Sequence, residues 1–325
     1  MVLEIQTEPL VSVITPVLNQ QDYIEQTLQS VLNQDYPNIE YLVIDGGSTD
    51  GTLEILESYV DRITLISEPD EGQADAINKG FRLSRGEITT WLNADDVYLP
   101  GAVSAVVDAF AEDIKAVCIY GDCSYVNTQG EVLSRYPARE FDLRRFVVES
   151  ENFIPQPAAF FRRECLEKAG SLDVELDFVL DYELWLRFAQ VGKFSYLSQE
   201  LAQARLHPEA KSVASFAKFG EELVEVIEAY YKTTKLALNL RGTRDEAVSK
   251  AGLRAAHAAF WAGDLQSAYQ YSKIAKLKHL PLRKKITHTY IQGLSLLDHL
   301  GFPVGRFVRG SKKNPYTLFK NLGEN

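Results

Sequence analysis

Residues 41–52 read YLVIDGGSTDGT, from Tyr41 through Asp45 to Thr52. Tyr41, Leu42, Val43 and Ile44 form a short apolar run of strand type. Asp45 and the Gly46–Gly47 pair stop it, and Leu53, Leu56 and Val60 then recur at helical spacing. Upstream, Val11–Thr15 is a second apolar, β-branched run closed by Pro16, followed by a helical pattern over Tyr23–Gln34. Downstream come a strand at Ile63–Ile66, a helix at Ala74–Leu83 and a strand at Ile88–Leu92 that runs into Asn93-Ala94-Asp95-Asp96. A helix at Pro100–Phe110 and a strand at Ala116–Tyr120 continue the alternation. Strand and helix alternating over short links predict an α/β fold: a Rossmann-like, mostly parallel sheet with helices on both faces. In such sheets ligands sit at the carboxyl ends of the strands.

Further along, Cys123–Ser134 reads as a hairpin with Asn127–Gly130 as its turn. A strand at Pro157–Phe161, helices from Arg162 and over Asp181–Val191, and a strand at Phe194–Leu197 complete a first domain, residues 1–212. Residues 213–325 change character: Phe216–Tyr231, Asp245–Ala262 and Leu265–Lys278 read as helices, the last two joined as a helical hairpin by Gly263-Asp264. The expected second domain is an α-helical C-terminal region.

The chain has 325 residues, 34 Lys and Arg against 45 Asp and Glu, and a net charge of −11, which disfavours nucleic acid as a partner. Residues 273–325 run the other way, with 11 Lys and Arg against 2 Asp and Glu, so the tail carries +9 and the rest −20. Cys118, Cys123 and Cys165 have no paired spacing, which argues against disulfides and zinc and suits a reducing cytoplasm. The start lacks the features of a signal peptide, and no apolar run reaches the ~18 residues of a membrane span. A cytoplasmic location is therefore expected.

Neither of the two common phosphate-loop motifs is present, and the residues of interest are carboxylates at strand ends. Asp45 is placed to accept an N–H from a ligand, although a capped turn accounts for the glycines around it. Asp95 and Asp96 are adjacent carboxylates that repel unless a cation or solvent lies between them, which suits Mg²⁺ or Mn²⁺; the plain alternative is a polar loop. Asp181 opens a helix, as a capping charge or as a general base. Arg205, His207 and Lys211 form a small basic cluster, placed to supply a metal ligand or to close over a diphosphate.

Taken together, VSVITPVLNQQDYIEQTLQSVLNQDYPNIEYLVIDGGSTDGT, SEPDEGQADAINKGF, GEITTWLNADDVYLPGA, DYELWLRFAQVGKF and RLHPEAKS resemble the inverting nucleotide-sugar glycosyltransferases of family 2, which have the GT-A fold. The resemblance covers about residues 10 to 212 and implies roles position by position. Thr15 and Pro16 match the wall of the nucleotide base. Asp45 matches the carboxylate that bonds the pyrimidine imide. Asp70, with Gly72 and Lys79, matches the border of nucleotide and sugar. Asp95 matches the ribose and metal side of the family's acidic motif, and Asp96 the metal or donor-sugar side. Asn93 stands where many relatives have Asp. Asp181 matches the catalytic base, His207 a histidine that in relatives completes the metal site, and Gln156 a residue suited to touching the sugar. Arg205 and Lys211 fall on the diphosphate side.

The resemblance implies metal-assisted single displacement from a UDP- or dTDP-linked donor, with a GDP-linked donor left open. The acceptor class is a glycan, a lipid-linked molecule or a cell-surface polysaccharide. A sugar nucleotidyltransferase is disfavoured, because its Gly-rich basic loop is missing after the first strand. A non-catalytic nucleotide-sugar-binding scaffold is disfavoured by the retained Asp95, Asp96 and Asp181. Processive synthases carry membrane spans and a QxxRW segment, and neither is found. Residues 276–313 interleave Lys and Arg with apolar residues, as a solvated helix face or as a peripheral contact with the inner membrane surface. Oligomeric state is left open.

Overall fold

The computed structural model describes residues 8–207 and 216–299. Its elements in chain order are β1 (Val11–Val17), α1 (Ile24–Leu32), β2 (Ile39–Asp45), α2 (Thr52–Glu57), β3 (Thr64–Ser67), α3 (Gln73–Leu83), β4 (Ile88–Trp91), β5 (Val97–Tyr98), α4 (Ala102–Glu112), β6 (Ala116–Val126) and β7 (Val132–Arg135). Then follow α5 (Leu143–Val148), β8 (Ala159–Arg162), α6 (Arg163–Ala169), α7 (Leu180–Val191), β9 (Lys193–Arg205), α8 (Phe216–Thr233), α9 (Arg244–Ala262), α10 (Leu265–Ile274) and α11 (Leu282–His299). Contacts divide the described residues into two units: those up to Phe141 with Phe153–Arg205, and Asp142–Asn152 with those from Leu206 onward. The division expected after residue 212 thus falls between Arg205 and Leu206, and the second unit also takes α5 from the middle of the first.

The first unit is a nine-stranded sheet in the order β3-β2-β1-β4-β8-β6-β9-β5, with β7 paired to β6. β3, β2, β1 and β4 are parallel, and β6 pairs β9 in parallel. β8 is antiparallel to both β4 and β6, while β5 and β7 are antiparallel edge additions. The sheet is therefore mixed but mostly parallel, as the sequence led us to expect. Two strands exceed their sequence signals. β6 absorbs the first arm of the expected hairpin into one strand, and β9 runs to Arg205, well past Leu197.

Alternation along the strands sends side chains to two layers. Val11, Val13 and Val17 of β1 pack with Ile24, Leu28 and Val31 of α1 and Val103, Val106 and Phe110 of α4. Elsewhere Phe81 of α3, Trp91 of β4, Phe161 of β8 and Trp185 and Phe188 of α7 form an aromatic cluster. Phe161 lies 5.8 Å from Phe81 and 5.0 Å from Phe188, and Trp91 stacks on Trp185 at 5.5 Å. Gly80 lets α3 approach β1, since a Cβ there would occupy the space of the Ile14 side chain. Val17 pairs with Asp45, and β4 ends opposite Ile14, so the segment after Trp91 turns beside the last residues of β1. All three cysteines are free and buried.

The second unit packs α8 through α11. Ala256, Ala259 and Phe260 of α9, Leu265 and Ala268 of α10 and Ile291 of α11 share one core. Gly220 abuts Ala255, so small residues set the close crossing of α8 and α9. The expected hairpin is present: Gly263 adopts φ +83° and the Asp264 carboxylate accepts the Ser267 N–H at 3.0 Å. Among the described residues, no helix is long and apolar enough to cross a membrane.

Phe161 meets four other rings at the centre of the aromatic cluster. Phe161→Ala is expected to cost about 3–5 kcal/mol in urea unfolding. Leu133→Ala, on the exposed face of β7, is expected to stay within about 0.5 kcal/mol.

Candidate active site

The segment Asn93–Asp96 leaves the end of β4 and is tied down at every residue. Leu92 N–H donates to Ile14 O at 2.8 Å, and Thr27 Oγ1 lies 2.8 Å from the carbonyl oxygens of Ala94 and Asp96. Asp96 is buried. Its Oδ1 accepts the Arg205 N–H at 2.9 Å, and its Oδ2 accepts from Asn93 Nδ2 at 3.2 Å. Burial, and then the charge of Asp95, push the Asp96 carboxyl well above the usual carboxylate range.

Asn93 is the hub of an amide network. Its Oδ1 accepts from Gln73 Nε2 at 2.9 Å, and its Nδ2 also faces Gln156 Oε1 at 3.1 Å. Gln156 Nε2 donates in turn to Trp91 O at 2.6 Å. A carboxylate at 93 would oppose acceptors at both Asp96 and Gln156, so a neutral amide suits this position. Gln156 therefore stands at the site, with its side-chain oxygen turned to Asn93.

Arg205 is turned into the protein. Its guanidinium is buried and donates to Asp95 O at 3.0 Å, Asn127 O at 3.1 Å, Thr128 O at 3.2 Å and Gln26 Oε1 at 2.8 Å. It also lies over the Tyr23 ring at 5.1 Å. The group clamps α1, the acidic segment and the β6–β7 turn.

Asp45 is likewise turned inward and wholly buried. Oδ1 accepts from Ser48 Oγ at 2.5 Å and Oδ2 from Ser67 Oγ at 2.6 Å, while the Gly47 and Ser48 N–H groups each donate to the carboxylate at 3.2 Å. The carboxylate expected to meet a ligand N–H is here the organiser of its own loop. Asp70 lies against that loop, where a Cβ on Gly46 would collide with its carboxylate, and it accepts the Gly72 N–H at 2.9 Å. Lys79 pairs with Glu68 at 2.7 Å.

Thr15 and Pro16 do not end β1, which continues to Val17. Both are buried, and Thr15 Oγ1 faces the Tyr41 hydroxyl at 3.0 Å. The backbone beyond the strand is instead shaped by Asn19, at φ +52°, whose Oδ1 accepts the Thr49 N–H at 2.8 Å.

Asp181 is half-buried in the first turn of α7 and accepts the Tyr182 N–H at 2.7 Å. Its charge acts on Tyr125 of β6 and on Tyr136, whose rings lie 5.6 Å apart. Burial first, then Cys123, Asp181 and Asp96, raise the Tyr125 phenol above its ordinary value; burial, Tyr125 and then Asp181 raise Tyr136. One phenol thus feels both Asp96 and Asp181. His207 is buried two residues after β9, and Lys211 lies outside the described residues. Among the described residues, no three His, Cys, Asp or Glu side chains gather as a metal-ligating group.

Residues 12–170 match the family model for glycosyl transferase family 2. The first unit belongs to glycosyltransferase family 2. Its curated relatives include an uncharacterized glycosyltransferase of Rickettsia prowazekii, 30% identical over 206 residues, 61% of this chain and 64% of that protein. Another, from Nostoc sp., is 31% identical over 208 residues, 61% of this chain and 65% of that protein. The chondroitin synthase of Escherichia coli is 28% identical over 211 residues, 63% of this chain and 30% of the synthase. The match spans less than two thirds of each relative. Residues 1–349 of S. aureus TarS, solved with UDP-GlcNAc, superpose with a TM-score of 0.66 at 17% identity, covering 93% of this chain and 91% of that one. The mannosyltransferase PcManGT of Pyrobaculum calidifontis, solved with GDP-Man and Mn²⁺, gives a TM-score of 0.58 at 19% identity, covering 98% and 89%. These structures share the fold.

Tyr125, Tyr136, Gln73 and Gln26 were not evident as site residues from sequence. The two tyrosines carried only a hairpin signal, and their proximity to Asp181 depends on pairing between distant strands. In this family 2 domain the Arg205 clamp makes a direct prediction: Arg205→Met, which takes the donors from three partly buried carbonyl oxygens, is expected to cost about 3 kcal/mol by urea unfolding.

Proposed function

We propose that the chain is an inverting, non-processive glycosyltransferase that moves a sugar from a nucleoside-diphosphate donor to a hydroxyl of a glycan or lipid-linked acceptor. The observation that carries this reading is the convergence of Asp96 and Asp181 on Tyr125, with Asp95 beside Asp96. Asp181 stands on the first turn of a helix, and Asp95 and Asp96 follow the end of a strand. TarS with UDP-GlcNAc supports a UDP-linked donor; GDP-Man in PcManGT keeps a second base in view. The likeness to a chondroitin synthase supports a polysaccharide or related glycan as acceptor. The proposed location is the cytoplasm.

Asp181 serves as the base. The acceptor oxygen attacks the anomeric carbon as its proton passes to Asp181, and the bond from that carbon to the diphosphate oxygen breaks on the opposite face. The bonding pair leaves with the nucleoside diphosphate, and the product is inverted. Aspartate is a weak base for an alcohol, so orientation supplies more of the acceleration than basicity. Asp95 and Asp96 would suit Mg²⁺ or Mn²⁺, which take oxygen ligands and are often held by only one or two carboxylates together with substrate phosphates. The cation would offset the charge of the departing diphosphate. Asn93, Gln73 and Gln156 hold that pair in register, and Asp70 borders the same end of the sheet.

Two outcomes are expected. Asp181→Asn lowers sugar transfer by ~10²-fold or more, with donor affinity retained in titration calorimetry; transfer at the normal rate would remove Asp181 as the base. Asp95→Asn weakens metal-dependent donor binding by roughly tenfold or more, and affinity unchanged with and without Mn²⁺ would remove the metal role. Nucleoside-diphosphate release, followed across a panel of nucleotide sugars, identifies the donor.

A further inference from the structure

In the second unit, α11 is turned against its own polarity. The face packed on the bundle carries Lys284, His288, Ile291 and Ser295; His288 and Ser295 are buried. His288 Nε2 meets Ser272 O at 2.8 Å, but its Nδ1 and the Ser295 hydroxyl have no hydrogen-bond partner among the described residues. The opposite face presents Leu282, 74% exposed, Ile286, 66%, Tyr290, 59%, and Leu297, 42%. The spacing of Leu282, Ile286 and Tyr290 aligns them in one stripe along the helix. Tyr290 is held upright by an edge contact with Phe260 at 6.0 Å. A helix that buries polar groups and shows its apolar residues to water is uneconomical unless something covers that stripe.

The charge around the stripe says what covers it. Residues 273–297 contain Lys273, Lys276, Lys278, Arg283, Lys284 and Lys285 and no Asp or Glu. Lys278 and Arg283 are exposed at the start of the stripe, beside the exposed Leu277; Lys284 is turned inward to Glu149 at 3.4 Å. Lys276 pairs with Asp245 at 3.3 Å, while Lys278 and Arg283 stay exposed beside the apolar stripe; apolar side chains flanked by such cations are complementary to a surface that is anionic outside and apolar beneath.

We propose that the outer face of α11, with the basic turn at 276–283, docks on an anionic lipid bilayer. Leu282, Ile286, Tyr290 and Leu297 enter the headgroup boundary, and Lys278 and Arg283 meet the lipid phosphates. The proposal is independent of the sugar-transfer reading, because its readout is binding alone. It narrows the broad basic segment 276–313 to one face of one helix.

The test is co-sedimentation of the full chain with vesicles of phosphatidylcholine alone and of phosphatidylcholine mixed with phosphatidylglycerol. The chain is expected to bind the mixed vesicles at least about tenfold better, and raised salt to weaken that binding. Leu282→Glu with Ile286→Glu should abolish it, with thermal unfolding and donor hydrolysis unchanged. Lys278→Glu with Arg283→Glu, confined to exposed charges, tests the same face without touching the core. No binding to either vesicle overturns the proposal, as does wild-type binding by both double variants. Loss of binding only on removing residues 300–325 assigns the contact to the tail and also overturns it. So does a solution dimer that both double variants dissociate, since the face would then join two copies.

Discussion

The Arg205 guanidinium holds the first unit's functional end together. It is buried, and a buried cation is stable only where its donors are met. Its N–H groups are satisfied by the acidic segment, by two carbonyls of the β6–β7 turn and by α1, with the Tyr23 ring beneath. Its backbone N–H holds the Asp96 carboxylate as well. Three pieces of chain far apart in sequence therefore share one residue, and it holds Asp95 and Asp96 in place. The Asn93 amide completes the restraint from the other side, between Gln73, Gln156 and Asp96.

Much of the fold was legible because its signals are short-range. β1 to β4 and α1 to α4 announce themselves by apolar period and by the glycines between them. What was not legible depends on partners. Residues 198–205, SQELAQAR, have no strand pattern of their own; they are extended because β6 lies on one side and the two residues of β5 on the other. Tyr125 faces Ala204 in that pairing, so its place near Asp181 could not be read before the long strand was known.

The candidate site divides in the same way. Asp95, Asp96 and Asp181 could be located because strand ends and helix starts are local features. The direction of a side chain is not local. Arg205, Asp45 and Thr15 stand at the expected places, yet each is turned into the protein, where a guanidinium, a carboxylate or a hydroxyl finds neighbours from other elements. The α5 segment is a related case: its Glu149 bonds Lys250 at 2.5 Å and so joins a helical unit whose other members begin more than fifty residues later.

The glycine-rich turn after β2 has a further consequence. Backbone N–H groups at such turns commonly form a cradle for a phosphate. Here the N–H groups of Gly47 and Ser48 already point at the carboxylate of Asp45, so the loop carries its own built-in anion. The seat is taken before any substrate arrives, and the charge of an incoming diphosphate has to be balanced elsewhere. The loop is also braced by these bonds and by the Ser67 hydroxyl before anything binds, which lowers the cost of ordering it for whatever binds beside it.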